Sequence, residues 1–272
     1  MRHSSGFVNP PIVEMVLGVQ FSSLTKLTSG HYGLFWKELG DGWIKPEDEP
    51  LIEDNFELFD RPARTVPAGL QLLRLEPVRL PGRFMLWHES RDRLLQIQAT
   101  RFHLNWRKHE GNYPSYNLLI GEFEKMFARF SAFALREDIG VVSENQWEIT
   151  YVNSFSKGEY WDSPTDWSIF LPGLFGQLFQ VDDLNIALEH RAAEWSYEIS
   201  PKRGRLHVAA RPGRAKGDDR DALLLQMTAR GPVGRGGVSK FRDGLDLGHD
   251  AAYGAFLRMV SEETKQRWEK QP

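Results

Sequence analysis

The sequence predicts an α+β protein built as two pseudo-repeated halves, each an antiparallel sheet carrying a long helix. Three observations lead there. Apolar residues alternate with period two at Ile12–Phe21 and again at Trp147–Phe155, the signal of strands with one buried face. Each strand opens a run containing a short helix pattern and several more alternating segments. Each run closes on a long amphipathic stretch, near Tyr116–Ala134 and near Leu247–Gln271. Laid over one another, the runs place Glu14 on Glu148, Phe21 on Phe155 and Ser22 on Ser156, and in the closing helices Tyr116 and Phe123 have the spacing of His249 and Phe256. Strand-rich runs that end in one helix favour helices layered on antiparallel sheets. The expected halves are 1–140 and 141–272, the second packed on the first.

In Ile12–Phe21, Val13, Met15, Leu17, Val19 and Phe21 share one face, and Asn9-Pro-Pro fixes an extended entry. Ser29–Leu39 reads as a short helix with Ser29 as N-cap and Tyr32, Phe35, Trp36 and Leu39 on one stripe. Gly40–Val66, rich in acids and Pro, reads as a long loop. Leu70–Leu75, Phe84–His88, Leu94–Gln98 and Phe102–Trp106 read as strands. The apolar phase slips by one between Leu95/Ile97/Ala99 and Phe102, which demands a bulge or tight turn near Thr100. Pro114 and Ser115 mark the start of the Tyr116–Ala134 helix, whose inner face carries Leu119, Ile120, Phe123, Phe127 and Phe130.

In the second run Trp147, Ile149, Tyr151, Asn153 and Phe155 share a strand face. Ser163-Pro164 opens a short helix to Leu171. Leu184–His190, Trp195–Ile199, Leu206–Ala210 and Leu223–Arg230 read as strands. His249 opens the last helix, and Ser261 ends it and caps a shorter one.

Of the 272 residues, 41% are hydrophobic and 26% charged, with 17 Phe, 9 Trp and 7 Tyr, enough aromatic area for a sizeable core. With no cysteine, disulfides, thiolate catalysis and thiolate metal sites are excluded. Met1–Pro11 has no apolar core of a signal peptide, and no apolar run has the ~18 residues of a membrane span. The expectation is a cytoplasmic protein without membrane contact. Charge is segregated. Asp41–Asp60 carries eight acids against Lys45, whereas Ser200–Arg242 carries eleven bases against three acids, an asymmetry that marks partner surfaces. The acidic segment is expected to face a partner or move freely, so that deleting Pro46–Glu53 leaves the melting temperature nearly unchanged.

The eight histidines have no metal-ligand spacing, no Gly-x-Ser-x-Gly elbow is present, and no cofactor motif is complete. No catalytic residue, metal ligand or cofactor is therefore assigned. Two candidate surfaces remain. His103 lies on the polar phase of its strand beside Arg101, Asn105 and Arg107, a face that either lines a ligand groove or is solvated. Glu14 and Glu148, at matching places in the two first strands, would form an acid–base pair if those strands met at a twofold axis. Arg101, His103, Arg107, Glu14 and Glu148 are thus the groove candidates. Arg203, Arg205, Arg211, Arg214, Arg235 and Lys240 are the candidates for polyanion contact. Gly231–Ser239 reads as a glycine loop without phosphate-loop spacing.

Three stretches, Asn9-Pro-Pro-Ile-Val-Glu14, Arg101-Phe-His-Leu-Asn-Trp-Arg107 with Tyr113-Pro-Ser-Tyr116, and Leu245-Asp-Leu-Gly-His249…Phe256…Trp268, resemble a sporadically distributed family of bacterial proteins. The family has no established activity, and the resemblance implies only a setting like that of defence or toxin–antitoxin genes. The functional expectation is a non-enzymatic binding or regulatory module acting with a protein partner, with self-association open. The alternatives are nucleic-acid binding through residues 200–242 and a small-ligand or hydrolytic site between the halves.

Overall fold

The computed structural model describes residues 7, 9–59, 82–109, 113–176, 188–215, 219–234 and 236–269. Its strands are β1 (Ile12–Phe21), β2 (Trp43–Glu49), β3 (Arg83–His88), β4 (Arg93–Gln98), β5 (Arg101–Arg107), β6 (Glu144–Ser156), β7 (Ala193–Ile199), β8 (Gly204–Arg214) and β9 (Asp221–Pro232). They form a single sheet in the order β2-β3-β4-β5-β1-β6-β9-β8-β7, with every pairing antiparallel. The protein is therefore a mixed helix-and-strand fold on one large antiparallel sheet. β1 and β6 lie side by side at its centre.

One sheet face is apolar and holds the core. Met15, Leu17, Val19 and Phe21 of β1 share it with Trp147, Ile149 and Phe155 of β6, as expected from their alternation. Helix α2 (Tyr116–Arg136) lays Phe123, Phe127 and Phe130 against Phe102 and Phe21, with ring centroids 5.3–6.5 Å apart. Helix α1 (Ser29–Leu39) adds Phe35, which meets Phe130 and Phe133. Helix α5 (Phe241–Met259) covers β6 and β9. Its approach is close because Gly244 and Gly248 face the sheet. A Cβ at Gly244 would stand 2.2 Å from the Trp147 ring, and one at Gly248 would stand 2.7 Å from both Trp147 and Ile149. Phe241 at the start of α5 packs edge-on against Phe123 and Phe127, joining the two long helices.

Several boundaries depart from the sequence reading. Gly40–Val66 is not simply a loop, since Trp43–Glu49 forms the edge strand β2, paired with β3. Proline and carboxylates fit there because one edge of such a strand has no ladder to lose. α1 is capped by Thr28 rather than Ser29, and the Thr28 N–H donates to His31 Nδ1 at 3.1 Å. The phase slip near Thr100 is a tight turn, Ala99–Thr100, between β4 and β5. The short helix after Ser163 is a 3₁₀ turn, Pro164–Asp166, running into α3 (Trp167–Phe170). α4 is a single turn, Ser200–Arg203, leading into β8. α5 starts at Phe241, so His249 sits in mid-helix and does not open it. The helix ends at Met259, and α6 (Glu262–Glu269) follows Ser261, whose Oγ accepts from the Thr264 N–H. The expected strand Leu70–Leu75 lies outside the described residues, as do residues 184–187 of the expected strand Leu184–His190. Residues 188–190 are not in a strand.

Candidate functional site

The second sheet face is polar, and its centre is buried although its β7 and β8 side, with Glu194, Glu198 and Arg211, is exposed. Reading across paired strands, one row runs Gln96, His103, Gly18, Glu148, Arg230, Arg205 and Glu198. The row beside it runs Gln98, Arg101, Gln20 and Gln146. Gln20, Gln96, Gln98, Arg101, His103, Asn105, Gln146 and Arg205 are all buried.

Part of the cover is the segment 51–59, read from sequence as partner-facing or mobile. Two glutamine amides hold its backbone as a neighbouring strand would. Gln98 accepts from the Ile52 N–H at 3.0 Å and donates to the Ile52 carbonyl at 2.8 Å. Gln146 accepts from the Glu57 N–H at 3.1 Å and donates to the Asn55 carbonyl. Arg101 donates to the Glu53 carbonyl at 2.7 Å. The Glu57 side chain then enters the sheet, 3% exposed, and accepts from Arg205 at 2.6 Å and Arg230 at 2.5 Å, with His207 Nε2 at 2.6 Å. Burial alone would raise the Glu57 carboxyl. The His207 hydrogen bond and the Arg230 charge outweigh it and hold the group at about 2. Removing Pro46–Glu53 would thus take out most of β2 and the Ile52 and Glu53 anchors, contrary to the near-neutral deletion expected from composition.

The groove candidates divide into two groups. His103 and Glu148 flank Gly18, where a Cβ would stand 2.4 Å from the His103 ring, so only glycine permits this packing. Burial, reinforced by Arg101 and Arg83, lowers His103 to about 4 against the opposing pull of Glu148. Burial pushes Glu148 up, but Arg101, His103 and Arg230 together hold it below its ordinary value. Glu14 lies four residues along the strand from Gly18, Glu148's partner, hence about 13 Å away by strand rise. The acid–base pair expected from the repeat is therefore absent. Glu14 instead accepts from Asn105 at 2.8 Å and pairs with Arg107 at 3.4 Å.

The polyanion candidates are not gathered. Arg205 is committed to Glu57, Arg211 pairs with Glu194, and Arg214 pairs with Asp219 at 2.7 Å. β8 separates Arg205 from Arg214 by about 30 Å at strand rise. Arg203 and Lys240 are exposed, and Arg235 lies outside the described residues.

A cavity of about 310 Å³ opens on the helix side of the sheet, where no sequence candidate had been placed. Its wall joins Pro10 and Ile12, Tyr113 and Tyr116 at the start of α2, Tyr151 and Asn153 of β6, and the α5 face from Arg242 to Phe256. The close seating of α5 through Gly248 carries the next residue, His249, to Tyr151, whose hydroxyl lies 2.6 Å from His249 Nδ1. Tyr116 stacks on the same imidazole, with centroids 4.0 Å apart and planes 5° from parallel, and donates to Asp246 at 2.8 Å. Arg242 Nε reaches both Asp246 oxygens at 3.1 Å, and Nη1 donates to Glu124 at 2.7 Å. Burial, with the Tyr113 and Tyr116 phenols and Asp250, pushes Tyr151 far above its ordinary value; burial also raises Tyr113 and Tyr116. Burial lowers His249 against the pull of Asp250 and Asp246. Near neutral pH the wall therefore offers protonated phenols and a neutral imidazole. With Tyr151 as donor, His249 carries its proton on Nε2. Such a set orients and hydrogen-bonds a ligand, and it includes no activated nucleophile.

Among the described residues, no cluster of three or more His, Asp or Glu side chains is arranged to hold a metal ion. Among the described residues, no helix is long and apolar enough to cross a membrane. Compared with known proteins, the chain matches no family model and no curated protein.

Proposed function

We propose that this protein is a non-enzymatic ligand-binding module that holds a small molecule in the cavity between its two halves and passes the bound state to a protein partner. The carrying observation is the wall itself, in which Tyr116, Tyr151, His249, Asp246 and Arg242 form one hydrogen-bonded and stacked network beside a mostly apolar space. Sites of this size, mostly apolar with a few convergent polar groups, suit small ligands.

The cavity's position gains meaning from the repeat, which is part of the same proposal. Outward from the centre the strand orders β1-β5-β4-β3 and β6-β9-β8-β7 match, and β2 is extra. Tyr116 and His249, which stand at the same spacing from Phe123 and Phe256 in the two closing helices, stack face to face. Halves at 1–140 and 141–272, related by an axis between β1 and β6, account for both facts. All three stretches behind the family resemblance contribute to the cavity wall or the residues beside it: Pro10 and Ile12, Tyr113 and Tyr116, and Asp246, His249 and Phe256. Membership in that bacterial family, a cytoplasmic location and a setting in defence or toxin–antitoxin systems are proposed with it. The acids paired to Arg205, Arg211 and Arg214 favour this reading over nucleic-acid binding.

The test is native mass spectrometry of the protein from its own host, followed by melting shifts against a metabolite library. The expected result is a small-molecule adduct or a stabilising compound, lost in Ala252→Phe, which fills the cavity, while the circular dichroism spectrum is kept. Finding neither adduct nor stabilising compound would reject the reading.

A further inference from the structure

Six amide side chains are buried among the described residues: Gln20, Gln96, Gln98, Asn105, Gln146 and Asn153. The first five, all on the polar face, have hydrogen-bond partners. Asn153 is the exception. Strand alternation puts it on the apolar face with Trp147, Ile149, Tyr151 and Phe155. It is 5% exposed, lines the cavity, and has no hydrogen-bond partner among the described residues. Its amide atoms are open to the cavity and not sealed in the core, so a molecule that enters can pair with them where no described protein group does. Beside it the β1–β6 register shifts between Ile12 and Glu14, so the sheet is irregular where the cavity meets it.

We infer that Asn153 selects the ligand: the cavity takes a neutral or cationic planar molecule bearing a paired donor–acceptor edge, of the carboxamide type, and rejects anions. This rests on the cavity reading above. An amide offers one donor side and one acceptor side, so its complement carries both. Phe256, Met227 and Ala252 supply apolar surface for the rest of the molecule. The charge balance sets the sign. Asp246 and Asp250 face the cavity against one guanidinium, Arg242, which already donates to Asp246 and Glu124. His249 is held neutral, chiefly by burial. No uncommitted cation on the described wall meets a carboxylate or phosphate, whereas an amidinium meets the Asp250 carboxylate.

The probes are four molecules of nearly one shape: benzamide, benzamidinium, benzoate and toluene, measured by ligand-observed NMR titration on the full chain near neutral pH. Benzamide is expected to bind at least about tenfold tighter than toluene or benzoate, the effect of one satisfied hydrogen-bonding edge. Benzamidinium is expected to bind ahead of benzoate. In Asn153→Leu, benzamide should fall to the level of toluene, with toluene binding kept. In Asn153→Asp, which a purely structural role would not predict to change selectivity, preference should move to benzamidinium. Benzoate binding as tightly as benzamide, or a benzamide preference that survives Asn153→Leu, overturns the inference alone. Failure of all four probes, toluene included, overturns the cavity reading and this one with it.

Discussion

Replacing Glu57 by Gln keeps the shape of the side chain and removes its charge. In the wild-type protein the carboxylate is 3% exposed and neutralises Arg205 and Arg230, themselves only 11% and 16% exposed. Breaking a buried ion pair from one side typically costs about 3–5 kcal/mol, because the abandoned charge stays out of water. For a chain of this length each kcal/mol lowers the melting temperature by about 2–4 °C, so a fall on the order of 10 °C is expected. Calorimetry and urea unfolding at pH 7 measure it. The effect has a pH signature. The folded-state value of Glu57, about 2, lies below its ordinary 4.5. Its stabilisation is therefore complete above the ordinary value and is lost as the pH falls from about 4.5 towards 2. The gap between wild type and Glu57→Gln should close over that window. A loss below about 1 kcal/mol at pH 7, or a gap independent of pH, would refute the argument that this carboxylate holds the segment to the sheet.

Three further outcomes follow from the packing. Phe127→Ala, at a ring contacting Phe21, Phe102, Phe123 and Phe241, should cost about 3–5 kcal/mol in urea unfolding, and a cost under 1 would place that stripe outside the core. Gly248→Ala forces a methyl within 2.7 Å of Trp147 and Ile149, should cost about 1–3 kcal/mol, and should shift α5 enough to disturb the Tyr151–His249 contact, read by the His249 ring signals in NMR. His103, lowered from 6.5 to about 4, binds its proton more readily unfolded than folded; its contribution is complete above pH 6.5 and is lost as the pH falls to about 4, so His103→Gln should flatten the stability profile there.

Alternation located the strands because a half-buried strand must repeat every two residues, and β1, β5 and β6 fall where their apolar phases put them. The same pattern cannot say what lies over the polar phase. Gln98 and Arg101 would be spaced identically whether they met water or the backbone of Ile52 and Glu53. β2 was hidden because an edge strand tolerates Pro46 and the acids Glu47, Asp48 and Glu49, residues that signal a loop elsewhere. The cavity was hidden because Tyr116, Tyr151 and His249 are far apart in sequence and meet only when α5 is seated on β6. One signal was visible. Asn153 interrupts the apolar phase Trp147, Ile149, Tyr151, Phe155, and a lone amide in such a row belongs either to a partner within the core or to an opening in it.

The glutamine grips on residues 51–59 give the two sheet faces different modes of failure. Separating α2 from the sheet would bare phenylalanines to water, a penalty that grows with area. Lifting the 51–59 segment would bare Gln20, Gln98, Gln146 and Arg101, groups that water can solvate at once. The segment is in effect a tethered peptide ligand, held by recognition chemistry at a high effective concentration and not by hydrophobic adhesion. Its amides at Ile52 and Glu57 should exchange with solvent through a local opening of lower energy than that of the β1–β6 ladder. A polypeptide presenting the same backbone groups and a carboxylate would compete for the same grips.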